Sequence, residues 1–123
     1  MQQILLVEDD PDLRKLLGLY LVQMGYAVVE ATNGKEALAL QQANPSDLVL
    51  TDLLMPEKEG IETIEYLRKK DPKLKIIAMS GGRRGSAADY LKVAKMMGAN
   101  HIMAKPFNYT DLADALTKVL PKS

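Results

Sequence analysis

Short apolar runs alternate five times with longer segments of helical period along the 123-residue chain. The runs cover residues 4–7, 27–29, 48–50, 76–79 and 101–104. Most are rich in Val, Ile and Leu without polar alternation, which is how strands buried on both faces of a parallel sheet read. Between the first two runs, Leu13, Leu16, Leu17, Tyr20, Leu21 and Met24 follow the i, i+3, i+4, i+7 spacing of one apolar helical stripe. Ile61, Ile64 and Leu67 repeat it before the fourth run, and Leu112, Leu116, Val119 and Leu120 after the fifth. Segments 35–43 and 87–97 are Ala-rich and of good helix propensity. Asp10-Pro11 predicts an N-cap followed by Pro at the first helical position. Asn33 with Glu36 predicts a capping box, and Gly25 and Gly98 predict helix ends. The pattern is (βα)5, an α/β sheet with helices on both faces.

Composition narrows the function without naming it. Lys and Arg number 16 and so do Asp and Glu, so the net charge is zero and gives no electrostatic case for nucleic acid or anionic membrane. Hydrophobic content of 47% and charged content of 26% exclude a disordered or fibrous chain. Cys is absent, which removes disulfides, thiolate metal sites and Cys nucleophiles. The first residues lack the features of a signal peptide, and no apolar run approaches the ~20 residues of a membrane span. The expectation is a soluble, single-domain, cytoplasmic protein.

Ligands of open α/β sheets bind beyond the carboxyl ends of the strands. After the first run stand Glu8, Asp9 and Asp10; Asp52 follows the third, Ser80 the fourth, and Lys105-Pro106 the fifth. If the first and third strands are neighbours, Asp9 and Asp52 face each other across the crevice. Carboxylates so close cannot all stay ionised cheaply without a cation. With oxygen donors only, Mg²⁺ is the natural candidate. A carboxylate beside Mg²⁺ and Lys can act as a nucleophile toward phosphorus and form an aspartyl phosphate.

Four stretches together carry a family resemblance: Ile4-Leu5-Leu6-Val7-Glu8-Asp9-Asp10, Asp52-Leu53-Leu54-Met55-Pro56-Glu57-Lys58-Glu59-Gly60, Met79-Ser80-Gly81 and Ala104-Lys105-Pro106-Phe107. In this order they resemble a bacterial two-component response-regulator receiver domain of the single-domain chemotaxis-regulator type, over residues 1–123. The resemblance implies a flavodoxin-like five-stranded parallel sheet of order 2-1-3-4-5. It implies that Asp52 accepts a phosphoryl group from the phosphohistidine of a sensor histidine kinase or phosphotransfer protein. Glu8 and Asp9 match the acidic pair that binds Mg²⁺, with Asp9 favoured as the direct ligand. Asp52 and the backbone carbonyl of Leu54 complete the metal set. Ser80 matches the hydroxyl that reports phosphorylation, and Lys105 the amine that contacts the phosphoryl group, before a cis Lys105-Pro106 bond. Output would be altered contact with a downstream protein target, by a monomer or a phosphorylation-dependent dimer. No turnover beyond self-phosphorylation and slow autodephosphorylation is implied.

Other readings compete at particular residues. A phosphatase of the dehalogenase type carries a second acid two residues after its nucleophile, and here that residue is Leu54. A pseudo-receiver acting without phosphorylation, or a receiver cut from a longer regulator, are the remaining alternatives. Two features depart from the family pattern. Ile102 stands where many receivers place an aromatic residue, and an Ile has few rotamers and no ring to swing. Ser80 and Lys105 are 25 positions apart, an unusually long interval, with Arg83 and Arg84 among Gly81, Gly82 and Gly85. That loop is expected to carry much of the response, and Leu54 and Gly82 to flank the acceptor. Arg68-Lys69-Lys70 reads as a favourable cationic helix end, His101 as neither ligand nor phosphodonor, and the Met residues as packing.

Overall fold

Every apolar run becomes a parallel strand. The computed structural model describes residues 1–53, 59–81, 92 and 95–121. β1 (Gln3–Val7), β2 (Ala27–Ala31), β3 (Leu48–Asp52), β4 (Lys75–Gly81) and β5 (His101–Lys105) form one sheet of order β2-β1-β3-β4-β5. Helices described over their full extent are α1 (Pro11–Gln23), α2 (Gly34–Ala43), α3 (Glu59–Lys70) and α4 (Tyr109–Val119). Of the helix expected over 87–97, Lys92, Lys95 and Met96 are helical, Met97 stands in a turn, and the rest lies outside the described residues. Leu54, Gly82, Arg83, Arg84 and Gly85 lie outside them too, and with them the Leu54 carbonyl and the loop expected to carry the response.

Alternation of side chains along each strand divides the interior into two layers. Leu5, Val7, Val49, Ile76 and Ala78 face Ala37 of α2 with Ile64 and Leu67 of α3. Ile4, Leu6, Leu48, Leu50, Ile77 and Met79 face Leu17 and Leu21 of α1 with Leu112 and Leu116 of α4. Each such fully buried aliphatic side chain contributes on the order of 1.5–3 kcal/mol, so the central strands β1, β3 and β4 anchor both layers.

Helix ends follow local chemistry. Asp10 caps α1 by accepting from the amides of Asp12 and Leu13, and Pro11 opens the helix. Gly25 and Gly98 take φ of 98° and 118°, conformations that a Cβ strains. The expected box at Asn33 is only half formed. Asn33 accepts from the Glu36 amide, but Glu36 Oε1 accepts from the amide and hydroxyl of Thr32 at 2.6 and 2.8 Å. The Glu36 carboxylate overreaches the cap by one residue because the Thr32 hydroxyl offers it a second donor. A full capping box instead starts α4, between Asn108 and Asp111. Arg68 is also more than a favourable end charge. Its guanidinium donates to the carbonyls of Gly98, Asp71 and Pro72 and to Asn100 Oδ1, tying the end of α3 to the turn before β5.

The strands run past the apolar residues that predict them. Asp52 pairs with Met79, Ser80 with Ala104 and Gly81 with Lys105, so the polar residues at the strand ends are rungs of the ladder. α3 then starts against the end of β3. A Cβ on Gly60 would lie 2.7 Å from Leu53 Cα and 2.9 Å from the Asp52 carbonyl oxygen, both rigid backbone. Gly60→Ala is expected to lower the unfolding free energy by about 1–3 kcal/mol through this overpacking. Urea unfolding checks it, with the midpoint falling and the slope unchanged.

Candidate phosphoacceptor and metal site

The chain runs from β1 to β2 on one side and then crosses back to β3 on the other side of β1, and the crevice opens where that order reverses. Glu8 follows β1 directly, Asp52 ends β3, Ser80 lies near the end of β4 and Lys105 ends β5. Four strand ends thus bring their polar residues to one edge of the sheet. Glu8 is 1% exposed, Asp52 2% and Ser80 not at all, whereas Asp9 is exposed.

Lys105 holds the group together. Its Nζ lies 2.8 Å from Glu8 Oε1 and 3.2 Å from Asp52 Oδ2. Carboxylate oxygens of Glu8, Asp9 and Asp52 lie within 4.8 Å of one another. Among the described residues, one ammonium thus bridges two members of a three-acid cluster. Burial pushes the Glu8 carboxyl up to about 7, with the Asp52 charge adding to the rise and the Lys105 hydrogen bond opposing it. Burial alone would lower the Lys105 ammonium. The Glu8 hydrogen bond and the Asp52 and Glu8 charges outweigh it and hold Lys105 above its ordinary value.

The donor set suits a small hard cation. Glu8, Asp9 and Asp52 each offer a hard oxygen donor, all within 4.8 Å of one another, close enough to reach one ion. The negative surplus left by one Lys is what a divalent cation would neutralise.

The turn after β1 is fixed from several sides. The Glu8 amide donates to the Ala31 carbonyl at 3.1 Å, and the Asp10 amide to Glu8 Oε2 at 3.2 Å. Arg14 Nη1 donates to the Glu8 carbonyl at 2.8 Å. Sequence reasoning assigned Arg14 nothing; its one visible signal is a basic residue four positions after the Asp10 cap. Ser80 Oγ is buried and has no hydrogen-bond partner among the described residues. Ile102 is half-buried and packs against the layer under α2 and α3. His101 sits at the opposite end of β5 from Lys105. Burial, and then Lys118 and Lys95, hold its imidazole below its ordinary pKa. His101 shares the lining of a cavity of about 280 Å³ with Asp111, Asp114 and Lys118.

A sheet of this order with acids, a hydroxyl and a lysine at its strand ends defines a class, and comparison with known proteins agrees. The response regulator receiver domain model matches residues 4–117, and the chain belongs to that family. Response regulator receiver protein CpdR of Brucella abortus is 37% identical over 123 residues, covering 98% of each chain. Chemotaxis protein CheY of Thermotoga maritima is 35% identical over 120 residues, covering 96% of this chain and 97% of that one. GlrR of Escherichia coli, a transcriptional regulatory protein, is 36% identical over 120 residues that make up 26% of its length. Among solved structures, Vibrio cholerae CheY4 superposes with a TM-score of 0.86 at 29% identity, covering 98% of this chain and 99% of that one. The protein is a phosphoacceptor receiver of two-component signalling, a signalling module.

The charge imbalance has a measurable consequence. Asp52→Asn removes one of three crowded carboxylates, while Lys105 keeps its hydrogen bond to Glu8. Its thermal midpoint in metal-free buffer is expected to rise by a few degrees, on the order of 1 kcal/mol. Lys105→Met leaves the buried acids without a cation and is expected to lose about 3–5 kcal/mol. Mg²⁺ should raise the wild-type midpoint and leave that of Asp52→Asn nearly unmoved. Calorimetry of the three proteins with Mg²⁺ and with EDTA checks all three outcomes.

Proposed function

We propose that residues 1–123 form one receiver domain whose phosphoryl acceptor is Asp52, with a histidine kinase or phosphotransfer protein as donor. One observation carries this reading. In a chain of the receiver family, the Asp52 carboxylate lies 3.2 Å from Lys105 Nζ and within 4.8 Å of the Glu8 and Asp9 acids. Glu8, Asp9, Asp52 and the Leu54 carbonyl would hold Mg²⁺, which when bound supplies positive charge to the phosphoryl oxygens.

The remaining chemistry belongs to the chain's own side chains. A carboxylate oxygen of Asp52 attacks the phosphorus of a phosphohistidine. The new O–P bond forms as the P–N bond breaks, and the bonding pair returns to the imidazole nitrogen. Lys105, held by Glu8, keeps Asp52 oriented and then shares its ammonium with the incoming phosphoryl oxygens. Ser80 is buried on β4, one residue after the Met79 that pairs with Asp52, and its hydroxyl would donate to one of those oxygens. That contact exists only after transfer, so phosphorylation favours whichever arrangement brings Ser80 and Lys105 to the phosphate. A pre-existing equilibrium then shifts and changes the surface offered to a downstream protein. Ile102 bears on how that shift is transmitted, since no aromatic ring stands at its position.

Incubation with Mg²⁺ and acetyl phosphate is expected to add one phosphoryl mass to the wild type and none to Asp52→Asn. EDTA should abolish the addition, and hydroxylamine should remove the group, as it does from acyl phosphates. An unmodified wild type under these conditions would overturn the reading.

A further inference from the structure

Arg14 belongs to α1, and its side chain bonds two other elements, the turn after β1 and strand β2. Nη1 donates to the Glu8 carbonyl at 2.8 Å, and Nε donates to Glu30 Oε1 at 3.2 Å. The Arg14 side chain is only 19% exposed, so its bond to the Glu8 carbonyl is partly sheltered from water, whereas Glu30 is half exposed. Glu30 is anchored in the sheet, in register with Leu6 of β1. α1 carries Gly18 where it faces this acid: a Cβ there would lie 3.4 Å from Glu30 Oε2.

The carbonyl that Arg14 grips is that of the peptide joining Glu8 to Asp9. A peptide is planar, so fixing its oxygen fixes the plane from which the Asp9 Cα departs. The Glu8 amide is held on the other side by the Ala31 carbonyl, and the Asp10 side chain is committed to capping α1. Asp9 lies between these tethers, exposed, with its carboxylate turned toward Glu8 and Asp52.

We infer that Arg14 is a positioning residue for the metal site: its guanidinium fork, braced on Glu30, sets the Glu8–Asp9 peptide so that both acids face Asp52. This rests on the reading that Glu8, Asp9 and Asp52 hold Mg²⁺. The fork, and not the charge, does the positioning. A cation near the acids would by charge alone weaken Mg²⁺ binding, so losing it would tighten the site. Losing the brace works in the opposite direction. Lys keeps the charge but has a single ammonium on a flexible stem and cannot hold the Glu8 carbonyl and Glu30 in one plane.

Titration calorimetry of Mg²⁺ into the wild type, Arg14→Lys and Glu30→Gln tests this, with hydrogen exchange of residues 8–13 in EDTA as a metal-free readout. Arg14→Lys is expected to bind Mg²⁺ about tenfold more weakly, the size typical of lost support behind a metal ligand. Its Glu8 and Asp10 amides should exchange faster, and at saturating Mg²⁺ its phosphorylation by acetyl phosphate should reach the wild-type extent. Glu30→Gln retains the acceptor oxygen and should bind within about twofold of wild type, as for a half-exposed ion pair. Arg14→Lys affinity within about twofold of wild type, or weakened affinity with unchanged exchange, would refute the inference. So would a Glu30→Gln loss as large as that of Arg14→Lys. A wild type that binds no Mg²⁺ would instead refute the metal reading beneath it.

Discussion

The ammonium of Lys105 shared between Glu8 and Asp52 is the interaction on which the site depends. Among the described residues it is one cation beside three acids, two of them almost fully buried. Without it, Glu8 and Asp52 would lose the ammonium that bridges them at the strand ends. With it, the site remains short of positive charge among the described residues. A receiver needs that shortage, because a divalent cation and then a phosphoryl group must both find a reason to bind. Stability and function pull against each other here, as they commonly do where like charges are held together for chemistry.

The fold supplies the force that keeps this arrangement in place. β1, β3 and β4 are apolar on both faces, and burial of Leu5, Leu6, Leu50, Ile76 and Ile77 outweighs the strain of acids gathered at their ends. The ladder continues into the site itself, through Asp52, Ser80 and Lys105. Backbone pairing therefore places these three side chains as firmly as it places the core. Glu8 and Asp9 lie just beyond the ladder and need other tethers: the Ala31 carbonyl, the Asp10 cap and the Arg14 fork.

Much of this was legible in the chain. Five strands were marked by apolar runs, since a strand buried on both faces cannot alternate with polar residues. Asp10-Pro11, Gly25 and Gly98 marked helix ends through purely local chemistry, and those ends stand where expected. Glu8, Asp9, Asp52, Ser80 and Lys105 all follow or end apolar runs, which is where α/β sheets present ligands. The hydrophobic pattern stopped short of the real strand ends because it cannot register a polar residue that still pairs its backbone. The Glu36 contact also escaped it. Which of two neighbouring donors a carboxylate chooses depends on side-chain reach and not on spacing.

Sequence by itself thus determined the alternation of elements, the sheet buried on both faces, the chemical inventory of the strand ends and, by resemblance, the family. Only the tertiary structure decided which charges meet. Lys105 is 97 positions from Glu8 and Arg68 is 30 from Gly98, and no local pattern encodes such pairs. Arg14 and Glu30 are closer in sequence, but their contact still depends on how α1 lies across β2. The physical reason is the same in each case. Periodicity and capping act over a turn or two of chain, whereas electrostatics and close packing act through space between elements that the sheet order brings together.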